Sequence, residues 1–213
     1  MKLYTMFRSS AAFRVRIALN LKGIAYESIP KALVRNEHRR EDFLSLNPQG
    51  LLPALAIDST VLSQSLAIIE YLDATYPAPN LLPEDEIARA QVRSMSLAIA
   101  CDVHPLNNLR VLNYLKEKLK VADDDVSAWY KHWVSEGFRG LEVMARKFST
   151  HERHMFGDRV SLADVCLIPQ MYNARRFHTD LSPYPTLVTI AAHLESLSAF
   201  AEARPEAQQD APR

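Results

Sequence analysis

At 213 residues, with 48% hydrophobic and 23% charged side chains, the chain has the make-up of a globular protein long enough to bury one large core or two smaller ones. Its 25 Lys and Arg balance 25 Asp and Glu, so no whole-molecule field of one sign draws nucleic acid or an anionic membrane, and affinity for anions must come from local arginines. No apolar run is long enough for a membrane span, Met1-Lys2-Leu3-Tyr4 leads into structured sequence instead of a signal peptide, and Cys101 and Cys166 sit in apolar helical runs as buried, reduced thiols, all of which suits a cytoplasmic location.

Residues 2–6 and 25–29 read as strands, and 10–22 between them as a helix closed by Gly23. A β-α-β unit implies parallel strands joined by a crossover helix. Residues 38–46 read as a second short helix, stopped before Asn47-Pro48. Two short strands, 52–57 and 60–62, flank the turn Asp58-Ser59 and form an antiparallel hairpin. Residues 65–76 follow as an amphipathic helix, with Ile68, Ile69 and Leu72 at helical spacing and Pro77 beyond its end. The order β-α-β-α-β-β-α is that of a thioredoxin-like α/β domain, spanning 1–80.

Three prolines within residues 77–83 mark a linker. Beyond it the pattern is helical throughout: 84–118, bent at Pro105, then 123–148, 161–177 and 186–197. The tail from Arg204 is polar with two prolines and is expected to be loose. The second domain is therefore all-α, spanning 84–213.

Several polar clusters interrupt these elements. Arg8-Ser9-Ser10 lies where the first strand meets the first helix, so two hydroxyls stand at a helix N-terminus, where free N–H groups and the macrodipole favour negative charge. Capping alone also explains a serine there. No cysteine is present at this point, so disulfide exchange lacks its nucleophile and a thiol must be borrowed. Gln64-Ser65 opens the helix after the hairpin in a manner suited to a carboxylate, with capping by Ser65 as the plain alternative. Leu51-Leu52-Pro53 sets a proline at the entry to a strand.

Asp102, His104, Asn107, Asn108 and Arg110 gather around Pro105, without the further ligands that a metal site needs. His151-Glu152-Arg153-His154 has its histidines three apart, unlike the zinc-protease helix, and reads as a solvated loop. Of Arg175 and Arg176, about 100° apart on a helix, one at most faces a given pocket. Ser161-x-x-Asp164 is a capping-box variant.

In this order the motifs resemble the cytosolic glutathione transferases over essentially the whole chain. Arg8-Ser9-Ser10-x-x-Phe13-Arg14-Val15-Arg16-Ile17-Ala18-Leu19 is similar to the zeta-class signature of the maleylacetoacetate isomerases in particular. Asn47-Pro48, Leu52-Pro53, Gln64-Ser65, Pro105-Leu106-Asn107-Asn108, the Gly157–Asp164 stretch and Arg176-Phe177-x-x-Asp180 fit the same pattern.

The resemblance implies a cytoplasmic homodimer that uses glutathione as cofactor and takes a small acidic substrate. It places Ser9, with Ser10 and Ala11 beside it, at the thiolate. Gln64 and Ser65 fall at the γ-glutamyl end, Leu52 and a cis Pro53 at the cysteinyl backbone, and His38 at the glycyl end. Asp102, His104, Asn108 and Arg110 reach glutathione or substrate from the helical domain, and Arg8, Arg110 and Arg176 line the acidic-substrate pocket. Zeta-class chains commonly carry cysteine where this one has Ala11, which removes thiol-dependent side chemistry but not the isomerisation.

The implied reaction is cis–trans isomerisation of maleylacetoacetate to fumarylacetoacetate in aromatic amino-acid degradation. Maleylpyruvate is the alternative substrate, and a general transferase or dehalogenase the next reading. A non-catalytic interaction module with this fold is disfavoured by the retained Ser9, Gln64 and Ser65.

Overall fold

In the computed structural model, which describes residues 1–212 (Val34 by its backbone alone), four short strands form one sheet. They are β1 (Lys2–Thr5), β2 (Glu27–Pro30), β3 (Ala54–Ile57) and β4 (Thr60–Ser63), in the spatial order β2-β1-β3-β4. β1 and β2 run parallel, while β3 is antiparallel to both β1 and β4. The expected crossover and hairpin are both present.

Alternation along β1 builds two faces. Leu3 and Thr5 are buried on one, whereas Tyr4 on the other meets the ring of Phe43 at 5.7 Å. Helix α1 (Ser10–Leu21) follows β1 and packs against α3 (Ser65–Thr75). Between β2 and β3 the expected helix over 38–46 is shortened to the single turn α2 (Glu41–Leu44), preceded by two tight 3₁₀ turns, 33–35 and 37–39. Arg40, extended at φ −76° and ψ 154°, separates the second turn from α2 and prevents one continuous helix.

The remaining elements are α4 (Glu86–Leu97), α5 (Leu109–Glu117), α6 (Asp123–Phe148), α7 (Leu162–Arg176), α8 (Pro185–Glu195) and α9 (Ser198–Ala203). The chain divides into two units: residues 1–80 with the segment from Ser196 onward, and residues 81–195. The division expected from sequence, with all of 84–213 in one helical domain, is thus corrected at its far end. α9 lies against α1, and the Arg16 side chain donates through Nε to the Ala203 carbonyl at 2.9 Å. Nor is the tail from Arg204 loose. A 3₁₀ turn spans Pro205–Ala207, Asp210 accepts from the Phe7 N–H at 2.9 Å, and Gln209 donates to the Ser28 carbonyl at 3.0 Å.

The helical unit is organised about α7, which is buried on nearly every side and packs on α4 and α8. Its start is the capping box expected from Ser161-x-x-Asp164. The wholly buried Asp164 carboxylate accepts from the N–H groups of Met155 and Ser161, both at 2.7 Å, and from the Ser161 hydroxyl at 2.8 Å. Burial pushes this carboxyl up to about 6, with the three donors pulling the other way.

The single bent helix expected over 84–118 is broken. A π-helical segment, Ala98–Val103, follows α4, a turn carries Pro105, and α5 restarts at Leu109 under an Asn108 cap. Proline's missing N–H ends the ladder already widened by the π segment. That segment lies hard against α6 at Gly137, where an added Cβ would come within 2.1 Å of Val103 Cγ2.

Replacing Asp164 by Ala orphans three donors in the core and is expected to cost about 2–4 kcal/mol. Denaturant unfolding checks this. A loss under 1 kcal/mol would show that the box does not anchor α7.

Candidate active site

The register of the sheet gathers the candidate residues of the first unit. Tyr4 pairs with Ala54, Ala54 with Ser63, and Thr5 with Pro30. The end of β1, the end of β2, the start of β3 and the end of β4 therefore share one edge. From that edge issue Arg8-Ser9-Ser10, the 31–39 segment with His38, Leu52-Pro53 and Gln64-Ser65. Four stretches far apart in sequence meet because the sheet aligns them.

Ser9 caps α1. Its backbone is extended at φ −67° and ψ 112°, its carbonyl takes the Phe13 N–H at 2.8 Å, and its Oγ accepts the Ala12 N–H at 3.3 Å. Acceptance uses the oxygen, so the hydroxyl hydrogen is left to donate. Ala11 contributes an N–H in the first turn, where no intrahelical acceptor exists. Ser10 is buried, and Arg8 is exposed with its guanidinium 4.9 Å from the Phe7 ring centroid. Capping and an anion-ready hydroxyl coexist at this helix start.

The Leu52–Pro53 bond is cis, as the resemblance implied; Ala78–Pro79 is also cis, which nothing in the sequence reading anticipated. Gln64 is exposed and left-handed, at φ 68° and ψ 117°, and its side chain donates to Gln49 Oε1 at 3.0 Å and does not cap the helix. Ser65 is buried and accepts from Arg14 Nη1 at 3.3 Å, a contact that ties α1 to the start of α3. His38 keeps a buried Nδ1 with no partner; partial burial and then the Arg39 charge hold its pKa below the usual histidine range, so the ring is neutral at pH 7.

Asn47 builds the loop ahead of Leu52, donating to the Leu51 carbonyl at 2.8 Å and accepting the Gln49 N–H at 3.2 Å. Gly50 fits there because a Cβ would fall 2.9 Å from Arg39 Nη1 and 3.0 Å from the His38 carbonyl. Asn47-Pro48 belongs to the family pattern, but the building roles of Asn47, Gln49 and Gly50 depend on a loop closing on itself, which no local spacing reveals.

In the helical unit, Asn108 caps α5 by accepting the Arg110 N–H at 3.1 Å, and its Nδ2 lies 3.5 Å from His104 Nε2. Asp102 and Arg110 are exposed. Arg176 ends α7 over the Phe177 ring, which stacks on Tyr130 at 3.8 Å, while Arg175 turns away to pair with Glu195. The sequence reading of the two arginines as divergent is met. No group of three or more His, Cys, Asp or Glu is placed to hold a metal among the described residues.

Two expectations are corrected here. Cys101 is exposed, because the π segment turns it outward, whereas Cys166 is buried. His154 is not in solvent but buried edge-on against His193, with ring centroids 5.4 Å apart.

Residues 1–74 match the family model of the glutathione S-transferase N-terminal domain. A probable maleylacetoacetate isomerase of Vibrio cholerae is 54% identical over 211 residues, 98% of this chain and 97% of the relative. The chain belongs to the maleylacetoacetate isomerase family of zeta-class glutathione transferases. Among solved structures, the holo form of a bacterial zeta-class maleylpyruvate isomerase superposes with a TM-score of 0.97 at 44% identity, covering 100% of both chains. A maleylacetoacetate isomerase of Methylobacterium extorquens AM1 with bound malonate and glutathione gives 0.95 at 41% identity, again over 100% of both. Within this family the sheet edge carrying Ser9, Pro53 and Gln64 is the candidate thiol site.

The left-handed backbone at Gln64 stores about 1–3 kcal/mol, more than the added chain entropy of a glycine. Gln64→Gly is expected to raise stability by about 1 kcal/mol in denaturant unfolding while weakening glutathione binding. Destabilisation would show that the side chain, through Gln49, outweighs the strain.

Proposed function

We propose that the protein is a glutathione-dependent cis–trans isomerase of maleylacetoacetate, with the start of α1 as its thiol-activating element. The observation that carries this reading is a helix N-terminus capped by Ser9, whose hydroxyl accepts the Ala12 N–H and keeps its hydrogen to give, with no cysteine there, in a chain 54% identical to a probable maleylacetoacetate isomerase. The residues present suit glutathione. The Ala11 N–H and the Ser9 hydroxyl favour an anion, Gln64 and Ser65 suit a carboxylate, and His38 offers an unpartnered buried Nδ1. The reading extends to a cytoplasmic homodimer, which the family kinship alone supports.

Glutathione supplies, when bound, a thiolate that adds reversibly to a conjugated alkene and so frees the former double bond to rotate. Ser9 favours the thiolate by donating to it. A free thiol has a pKa near 8.5, and a fall of about two units needs roughly 2.7 kcal/mol. The helix dipole gives about 0.3–1 kcal/mol and a hydrogen bond to a charged acceptor about 1.5–3, so the hydroxyl is the larger contributor. Arg8 and Arg176 match carboxylates through their planar forks. Each also stabilises charge growing on the conjugated carbonyl, an interaction stronger in the transition state than in the ground state. Arg110, Asn108, His104 and Asp102 complete the proposed binding set, and Leu52 offers its backbone beside Pro53.

Maleylpyruvate is the second reading, favoured by the TM-score of 0.97 to a maleylpyruvate isomerase. A spectroscopic assay of both cis keto diacids, with and without glutathione, tests the proposal. Turnover of maleylacetoacetate that needs glutathione yet does not consume it is expected, and turnover at the same rate without glutathione would reject it. Ser9→Ala is expected to lower kcat/KM about tenfold or more at neutral pH and to recover above about pH 9, where the thiol ionises unaided. Arg176→Ala is expected to lower kcat/KM for the diacid about tenfold or more, and unchanged kinetics would remove Arg176 from the site.

A further inference from the structure

Arg16 is wholly buried in α1, about two turns beyond Ser9, and is surrounded by acceptors. Nη1 donates to Thr5 Oγ1 at 3.0 Å and to the Met6 carbonyl at 3.4 Å, Nη2 to the Phe7 carbonyl at 2.9 Å, and Nε to the Ala203 carbonyl at 2.9 Å. One guanidinium therefore grips the β1–α1 loop with one edge and the segment after Ser196 with another. Asp210, from that same segment, accepts the Phe7 N–H at 2.9 Å and faces Arg16 electrostatically. Asn20 donates to the Ala199 carbonyl at 3.0 Å, which fixes α9 along α1.

The loop so held is the one that presents Arg8 and Ser9, and its far end is tied to α1 by the Phe13 N–H to the Ser9 carbonyl and the Ala12 N–H to Ser9 Oγ. Its internal bonds are Ser9 N–H to the Met6 carbonyl at 2.9 Å and Arg8 N–H to Met6 Sδ at 3.2 Å. Phe7 has both its N–H and its C=O committed to the clamp, one to Asp210 and one to Arg16. A buried guanidinium bound to neutral carbonyls also gains from negative groups nearby, and Tyr26 and then Asp210 act on Arg16 in that sense.

We propose that the segment from Ser196 onward is a positioning element for the thiol site, with Asp210 and the Ala203 carbonyl acting through the Phe7 N–H and Arg16 to fix Ser9 at the start of α1. Asp210 touches neither thiol nor substrate; it acts through the loop. The functional half of this inference rests on the thiolate reading above, whereas the mechanical half does not.

Asp210→Ala and Asp210→Asn separate the two halves. Amide hydrogen exchange on the ligand-free protein reads the clamp alone. In Asp210→Ala, exchange at Phe7–Ser9 is expected to quicken about tenfold or more, with β3 amides unchanged, and in Asp210→Asn, which keeps an acceptor oxygen, to stay near the parent rate. Unaltered exchange in Asp210→Ala would overturn the proposal. With glutathione, the alkaline shift of the kcat/KM profile reads the function. A shift of about half a pH unit or more in Asp210→Ala, largely restored in Asp210→Asn, is expected. Quickened exchange with an unmoved profile would reduce the clamp to a structural contact and overturn its positioning role. If the parent protein itself isomerises neither diacid, the thiolate reading falls, and exchange at Phe7–Ser9 still decides the clamp.

Discussion

Removing a guanidinium from water costs several kcal/mol unless nearly all of its N–H groups find acceptors. Arg16, with no exposed surface, meets that demand with three carbonyls and the Thr5 hydroxyl. Burial lowers its pKa to about 10, which still leaves it charged at neutral pH. Because the acceptors come from the end of β1, the following loop and α9, none of the three can move independently without stranding a charge. The first unit is therefore cross-tied where its candidate chemistry begins.

Around that anchor the sheet performs the gathering. A four-stranded order of β2-β1-β3-β4, with one parallel and two antiparallel pairings, sends every chemistry-bearing loop to a single edge. Local devices then aim each loop. Ser9 caps α1, Asn47 and Gly50 shape the approach to Pro53, and Arg14 links α1 to Ser65. In the other unit, α7 is held by the Asp164 box and ends in Arg176 on its aromatic platform.

What was legible in the sequence was local. The hairpin about Asp58-Ser59, the box Ser161-x-x-Asp164 and the cap at Ser9 each depend on residues a few positions apart, and each is present. What escaped depends on distant partners. Arg14 and Arg16 enter the sequence pattern only as part of a motif, and it takes tertiary acceptors to let them be buried. The polar tail read as loose because its partners, Phe7 and Ser28, lie some 200 and 180 positions upstream. The π segment before Pro105 turned an expected bend into a break and brought Cys101 to the surface. His154 lost its solvent to His193 for the same kind of reason.

The chemistry follows from a residue that is missing. The first turn of α1 offers a hydroxyl and an amide but no sulfur, so in the proposed reaction the nucleophile arrives with glutathione and the protein's task is to keep it ionised. The most direct test is the ultraviolet absorbance of the thiolate of glutathione bound to the intact protein, followed as pH is varied. The expected midpoint lies about two units below that of a free thiol, near 8.5 in water. A midpoint at the free value would contradict thiolate activation at the start of α1.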